Sequence, residues 1–234
     1  MDWIQRAFDA QLLVFGHELY WREVVGNVFG FASAVGGMRR RVWAWPVGIV
    51  GNVILFTVFF GVAFASSRPP LYGQASRQVF FIATSLYGWR RWRLARAARA
   101  DQGRRAPAIV PRWAGGRERL GYLAAGLIGV VVSQQVFAAI GAGWAAPRWY
   151  FWADAWIFMG SMVATYAMAR GWNDFWLCWI GVDLVGVPLL WHSQYYPSAV
   201  LYAVYGGFVV YGFAVWLRAS RLEAPHVARQ EVLA

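Results

Sequence analysis

The stretch SLYGWRRW, residues 85–92, closes an apolar run and opens an arginine-rich one. Its core returns as VYGFAVW, residues 210–216, again with a tryptophan four residues after the glycine. Tyr87, Gly88 and Trp92 overlay Tyr211, Gly212 and Trp216 at an offset of 124. An offset of 131 overlays the segments before them: Glu23 on Asp154, Arg39 on Arg170, Trp45 on Trp176 and Asn52 on Asp183. The difference of seven falls in the connection before the last apolar run. Polar and aromatic anchors that agree through three successive runs mark an internal duplication.

The composition says what is duplicated. Of 234 residues, 59% are hydrophobic and 14% charged, mean hydropathy is +0.40, and 16 are tryptophan. A soluble domain carries about 25% charged residues. About 20 mostly apolar residues in helix cross the hydrocarbon of a bilayer, and seven such spans are expected: 20–38, 42–65, 75–92, 120–141, 150–169, 173–191 and 197–217. The fold class is therefore an all-α integral membrane protein. Its seven transmembrane helices form a 3+1+3 parallel repeat, because an odd linking span gives both halves the same orientation. Residues 1–19 form an N-terminal interfacial segment, expected as an amphipathic helix with Trp3 and Trp21 near the headgroups. The first bundle is 20–92, a solvated basic loop 93–119, the linker span 120–141, the second bundle 150–217 and a tail 218–234. Parallel repeats of this kind are a transporter architecture of the SWEET type, with substrate bound between the halves near the midplane.

All 22 basic residues are arginine, and the orientation with the N-terminus outside and the C-terminus cytoplasmic puts 17 of them inside and five outside. That asymmetry accounts for the net charge of +11 without nucleic acid. The single Cys178 excludes an internal disulfide, and His17, His192 and His226 lie too far apart in sequence to suggest a metal set. With no lysine, a retinal Schiff base cannot form. No nucleophile–base arrangement, phosphate loop or cofactor motif is visible, so neither an enzyme nor a cofactor is expected.

The polar residues inside the spans are the candidate site. Asp183 lies deep in the sixth span, where a carboxylate costs about 2.5 kcal/mol or more, which makes function the default reading and a bond to a neighbouring helix the alternative. Trp176, Trp179 and Asp183 share a helical face at i, i+3 and i+7, which could stack a flat ring and hold a polar group one turn on. Asn27, Asn52 and Gln78 read singly as interhelical glue and together as hydrogen-bonding partners of one ligand. Glu23 and Asp154 read as interfacial, with attraction of a cationic solute as the alternative. Trp43, Trp89, Trp92, Trp149 and Trp216 fall near span ends and read as an aromatic belt.

These residues resemble the PnuC-type vitamin transporters, over about residues 20–217. QVFFIATSLYGWRRW has that family's glutamine nine residues before Tyr-Gly-Trp (Gln78, Tyr87, Gly88, Trp89), closed by Trp92. FWLCWIGVDLVGVPL has its two tryptophans three apart, Trp176 and Trp179. The resemblance implies facilitated diffusion of nicotinamide riboside in a multi-pass protein of the plasma membrane. It implies that Gln78 and the tryptophan pair contribute to the site, that a cytosolic kinase traps the solute, and that the assembly is a homo-oligomer such as a trimer. Nicotinamide riboside members have asparagine directly before the tryptophan pair; here Phe175 stands there and Asn173 lies two residues earlier. That departure resembles the riboflavin-type (PnuX/RibM) branch. Nicotinamide riboside is expected first, riboflavin second, and thiamine after them.

Overall fold

The structure is a computed structural model that describes residues 10–14, 17–60, 72–99, 107–139, 148–192 and 196–233. Among the described residues a short hairpin, β1 (Gln11–Val14) and β2 (His17–Tyr20), precedes seven helices. These are α1 (Trp21–Met38), α2 (Ala44–Phe60), α3 (Tyr72–Ala97), α4 (Gly116–Ala139), α5 (Trp149–Arg170), α6 (Asp174–His192) and α7 (Tyr196–Leu233). Each of the seven expected spans coincides with one helix. Among the described residues, α4, α6 and the stretch Tyr202–Leu222 of α7 are individually long and apolar enough to cross a membrane, and α2 is a shorter apolar helix.

The hairpin corrects one expectation. An amphipathic helix was expected over the first 19 residues; residues 11–14 and 17–20 instead pair as antiparallel strands, Gln11 opposite Tyr20 and Val14 opposite His17, and the part of that expectation on residues 1–9 lies outside the described residues. The runs QLLV and HELY are four residues each, with Phe15 and Gly16 between them in sequence. A glycine there weakens a helix, and a two-residue connection with glycine suits a hairpin. Trp3 lies outside the described residues.

The chain divides into two compact units, Met1–Ala97 and Ala98–Ala234. In the first, α1 packs on α2 and α2 on α3. In the second, α4 packs on α5, α5 on α6 and α6 on α7. Small residues permit the approach in a membrane, where packing replaces the hydrophobic drive. A Cβ on Gly51 of α2 would stand 2.9 Å from the Gly26 carbonyl oxygen of α1.

Within each unit the echoed sequence has the same construction. In the first, the ring of Trp45, near the start of α2, lies flat over Gly88 of α3, where a Cβ would meet it at 2.5 Å. Trp92, one turn on, meets Trp45 edge-to-face at 5.1 Å between ring centroids. In the second, Trp176 near the start of α6 covers Gly212 of α7 in the same way, and Trp216 meets it edge-to-face at 6.1 Å. Trp92 and Trp216 are 0% exposed, so they are core residues and not belt residues as expected. Trp43 and Trp149 are exposed, in keeping with a belt. The turns before these helices correspond as well. At the offset of 131, Arg40 overlays Gly171, and both are left-handed, with φ of 54° and 75°. Glycine is the ordinary occupant of that position after a helix; an arginine there costs roughly 1–2 kcal/mol.

The basic connection is also not what was expected. Residues 93–97 complete α3, and of the rest Ala108, Ile109, Pro111 and Ala114 are buried, not solvated. Residues 107–115 form a strap bonded to the α5–α6 turn. Arg112 N–H donates to the Gly171 carbonyl (3.1 Å) and Asn173 N–H donates to the Arg112 carbonyl (2.7 Å), a parallel bridge between Arg112 and Trp172. The short apolar run AIVP supplies the buried contact that the surrounding arginines conceal in a hydropathy reading. The helix α7 continues through the expected tail to Leu233.

Candidate functional site

The polar groups of the second unit converge on the first turns of α6. Asp174, 1% exposed, opens that helix and accepts three hydrogen bonds: from Ala114 N–H (2.9 Å), Arg119 Nε (2.8 Å) and Tyr122 Oη (3.1 Å). A carboxylate suits a helix N-terminus, and here it also ties the strap and α4 to α6. Glu118, in the polar first turn of α4, holds Arg112 in a bidentate pair at 2.7 Å on both nitrogens. It also accepts from Gly115 N–H (2.9 Å) and from Arg170 (3.2 Å). The guanidinium carbons of Arg112 and Arg170 lie 5.6 and 5.0 Å from the centroid of the buried Trp172 ring. None of this network stood out in the sequence. The available signal was GWND, residues 171–174, a short break between two apolar spans, and the RER of residues 117–119.

Glu118 is a good check on the strap, because its partners are partly exposed. Glu118→Ala is expected to lower stability by about 1 kcal/mol, in line with exposed bidentate pairs. High salt should shrink the difference, read as the unfolding midpoint in detergent at two ionic strengths.

Four polar atoms around the strap have no hydrogen-bond partner among the described residues: Trp172 Nε1, both amide atoms of Asn173, and Trp176 Nε1. Asn173 is 0% exposed. Buried polar groups are nearly always paired, by protein, water or ligand, so this cluster of orphans within five residues makes the strap a candidate site.

Further along α6 the expected face divides. Trp176 and Asp183 turn toward α7, Trp176 onto Gly212 and the Asp183 carboxylate beside Gly206, where a Cβ would lie 3.6 Å from Oδ2. Asp183 Oδ2 is buried and has no hydrogen-bond partner among the described residues. Trp179, 60° around the helix from Trp176 by helical geometry of about 100° per residue, packs on the cluster formed by Tyr150, Ala153, Ile157, Val182 and Leu189. The candidates Trp176, Trp179 and Asp183 thus lie along one helix, with Trp176 locked and Trp179 and Asp183 half-buried.

In the first unit, Gln78 of α3 is 2% exposed and Asn52 of α2 is half-buried. Asn27 of α1 is exposed, and its Nδ2 donates to the Glu23 carbonyl of its own helix at 2.8 Å, a local bond. Sequence reasoning missed Arg22, which is 3% exposed and donates from Nη1 to Thr57 Oγ1 at 2.9 Å, joining α1 to α2.

Residues 20–218 match the family described as nicotinamide mononucleotide transporter, across all seven helices. The chain belongs to that family, the PnuC-type vitamin transporters. It is 34% identical over 224 residues, 96% of each chain, to the riboflavin/roseoflavin transporter RibM of Streptomyces davaonensis. It is 24% identical over 226 residues to the nicotinamide riboside transporter PnuC of Escherichia coli strain K12, covering 88% of this chain and 89% of the relative. The crystal structure of a vitamin B3 transporter PnuC superposes with a TM-score of 0.61 at 19% identity, covering 86% of this chain and 82% of the other, so the two share a fold. This family member is accordingly a multi-pass membrane protein and a vitamin transporter.

Proposed function

We propose that this protein carries riboflavin across the plasma membrane, with nicotinamide riboside as the second reading. The observation that carries it is the 34% identity to a riboflavin/roseoflavin transporter over 96% of both chains, against 24% to a nicotinamide riboside transporter. This reverses the order expected from sequence. Phe175 supports the reversal: it stands where nicotinamide riboside members have asparagine, and it is buried against Trp176 and Trp216 at 4.3 and 4.8 Å between centroids. An asparagine there would bring an amide into a wholly aromatic contact.

In this reading Trp179 offers the stacking face for the isoalloxazine ring. Trp176, whose face is taken by Gly212, contributes its indole N–H. Asn173 supplies donor and acceptor to the ribityl hydroxyls, and Asp183 accepts a donor group. Within the first unit, Gln78, Asn52 and the remaining amide capacity of Asn27 are its own candidate contacts to substrate. The protein works by facilitated diffusion and alternating access, as a parallel 3+1+3 repeat of the SWEET type. The matched tryptophan–glycine contacts of the two units favour that duplication. Its orientation is N-terminus outside, its assembly a trimer, and a cytosolic kinase traps the product; no enzymatic step belongs to the chain itself.

The test is equilibrium binding and proteoliposome uptake with riboflavin, nicotinamide riboside and thiamine. Riboflavin is expected to bind at least tenfold more tightly than the others. Trp179→Ala should weaken it about tenfold or more, the size of a lost stacking contact. A tighter response to nicotinamide riboside would reverse the proposal. Uptake that depends on an imposed pH gradient would replace facilitated diffusion with proton coupling through Asp183.

A further inference from the structure

Three contacts fix the seam between α6 and α7 in the second unit. Trp176 covers Gly212, Asp183 stands beside Gly206, and Tyr202 of α7 reaches Gly186 of α6. Numbers rise along one helix as they fall along the other, so the two run antiparallel. At about 100° per residue, Trp179, Asp183 and Gly186 lie within about 60° of one another on α6. Tyr202 and Gly206, four residues apart, share a face of α7. Along the seam the order is therefore Trp179, then the Asp183 carboxylate opposite Gly206, then Tyr202 at Gly186.

The level of Asp183 is open on the α7 side. A Cβ on Gly206 would meet nothing closer than Asp183 Oδ2 at 3.6 Å, and one on Gly207 would meet nothing within 4 Å. Asp183 Oδ2, buried and without a hydrogen-bond partner among the described residues, lies beside that gap. An aromatic ring stands at each end of it. Trp179 and Tyr202 are both half-buried, and both pack on the apolar cluster around Ile157 and Val182. Tyr202 meets its glycine differently from Trp176. Cδ1 and Cε1, each 2.7 Å from a Cβ on Gly186, are the only atoms of its ring nearer than 3.7 Å. The ring thus meets α6 with an edge, and its faces are not spent on that glycine.

The duplication singles out the same residue. At the offset of 124, Gln78 overlays Tyr202, just as Asn52 overlays Asp183 and Trp45 overlays Trp176 at 131. Where the first unit holds a buried candidate amide, the second holds a phenol ring.

We infer that Tyr202 determines specificity for the ring system of the vitamin, which lies along the α6–α7 seam with Trp179 at one end, Asp183 between and Tyr202 at the other. The flavin assignment of that ring rests on the riboflavin reading. Residues 179 and 186 are about 10 Å apart along α6. A fused tricycle such as isoalloxazine reaches from Trp179 to Tyr202. The single pyridine ring of nicotinamide riboside falls short and meets one of the two. Tyr202 therefore favours flavins over single-ring vitamins.

The full-length protein in detergent is titrated with riboflavin, with nicotinamide riboside, and with lumiflavin, the same tricycle bearing a methyl in place of the ribityl chain. Tyr202→Leu keeps an apolar side chain at Gly186 and removes the ring. It is expected to weaken riboflavin and lumiflavin alike by about tenfold, the size of one lost stacking contact. The ratio of riboflavin to nicotinamide riboside affinity should fall by about the same factor. A loss of packing alone would lower the unfolding midpoint and weaken all three ligands by one common factor, and that result would overturn the inference. Tyr202→Phe retains the ring and should lose less of the ratio. Tyr202→Met, whose side chain adapts to irregular gaps, serves if the leucine variant folds poorly. A parent that binds riboflavin, with the ratio unchanged in the leucine or methionine variant, would overturn the role of Tyr202 and leave the riboflavin reading standing. A parent that binds nicotinamide riboside more tightly than riboflavin would overturn both.

Discussion

Asp174→Ala is expected to lower stability by roughly 3 kcal/mol, one of the two largest single-residue effects. Three donors lose their acceptor at once: Ala114 N–H, Arg119 Nε and Tyr122 Oη. Arg119 is half-exposed and recovers water, so its share is small. The Ala114 amide and the Tyr122 hydroxyl lie against the buried carboxylate, and each orphaned polar group costs about 1–3 kcal/mol. The effect should appear as a fall of roughly 5–10 °C in the unfolding midpoint of the detergent-solubilised protein. Asp174→Asn retains one acceptor oxygen and should lose about half as much. The loss should also reach the candidate site, because the same contacts fix the turn that bears Trp172 and Asn173. Riboflavin binding by Asp174→Asn is expected to weaken more than its stability loss alone would produce, measured well below the midpoint. A midpoint within 2 °C of the parent for Asp174→Ala would mean that the strap is not held through this carboxylate.

The spans were legible because a bilayer imposes one rule, about 20 apolar residues per crossing, on every helix. The echoed Tyr-Gly phrase was legible as a register mark, and its meaning was not. A belt tryptophan and a core tryptophan stand at the same distance from a span end, so hydropathy cannot separate Trp43 from Trp92. The distinguishing sign is the glycine four residues before Trp92 and Trp216, one turn away on the same helical face, which leaves room for a second indole. That second indole comes from the preceding helix, a tertiary fact with no local trace. The strap was hidden for a different reason. Its buried residues are few and sit among arginines, so a window average reads it as solvent-exposed. Its order comes from backbone pairing with residues 171–173, far along the chain. Along α6 the period of 3.6 placed Trp176 and Asp183 together correctly. It could not tell that Gly212 would take the Trp176 face and leave Trp179 as the more available ring.

Trp216→Ala is expected to cost about 3–5 kcal/mol, the range for removing a fully buried indole. Trp216 is 0% exposed and meets both Phe175 and Trp176 edge-to-face, so its loss leaves a cavity that two rigid rings cannot fill. Gly212→Ala attacks the same contact from the opposite side. The new methyl would fall on the Trp176 ring, and overpacking of this kind costs about 1–3 kcal/mol. The two changes should not add: with Trp216 shortened, Trp176 can shift into the vacated volume and accept the methyl. A double variant less destabilised than the sum of the singles, by 0.5 kcal/mol or more, is therefore expected. The first unit provides the internal control. Trp92→Ala and Gly88→Ala should reproduce the sizes and the coupling, since Trp45 covers Gly88 as Trp176 covers Gly212. Strict additivity in both units would show that the rings do not pack as a lock. A neutral Trp92→Ala beside a costly Trp216→Ala would show that the echoed sequence is built alike in the two units without carrying the same load.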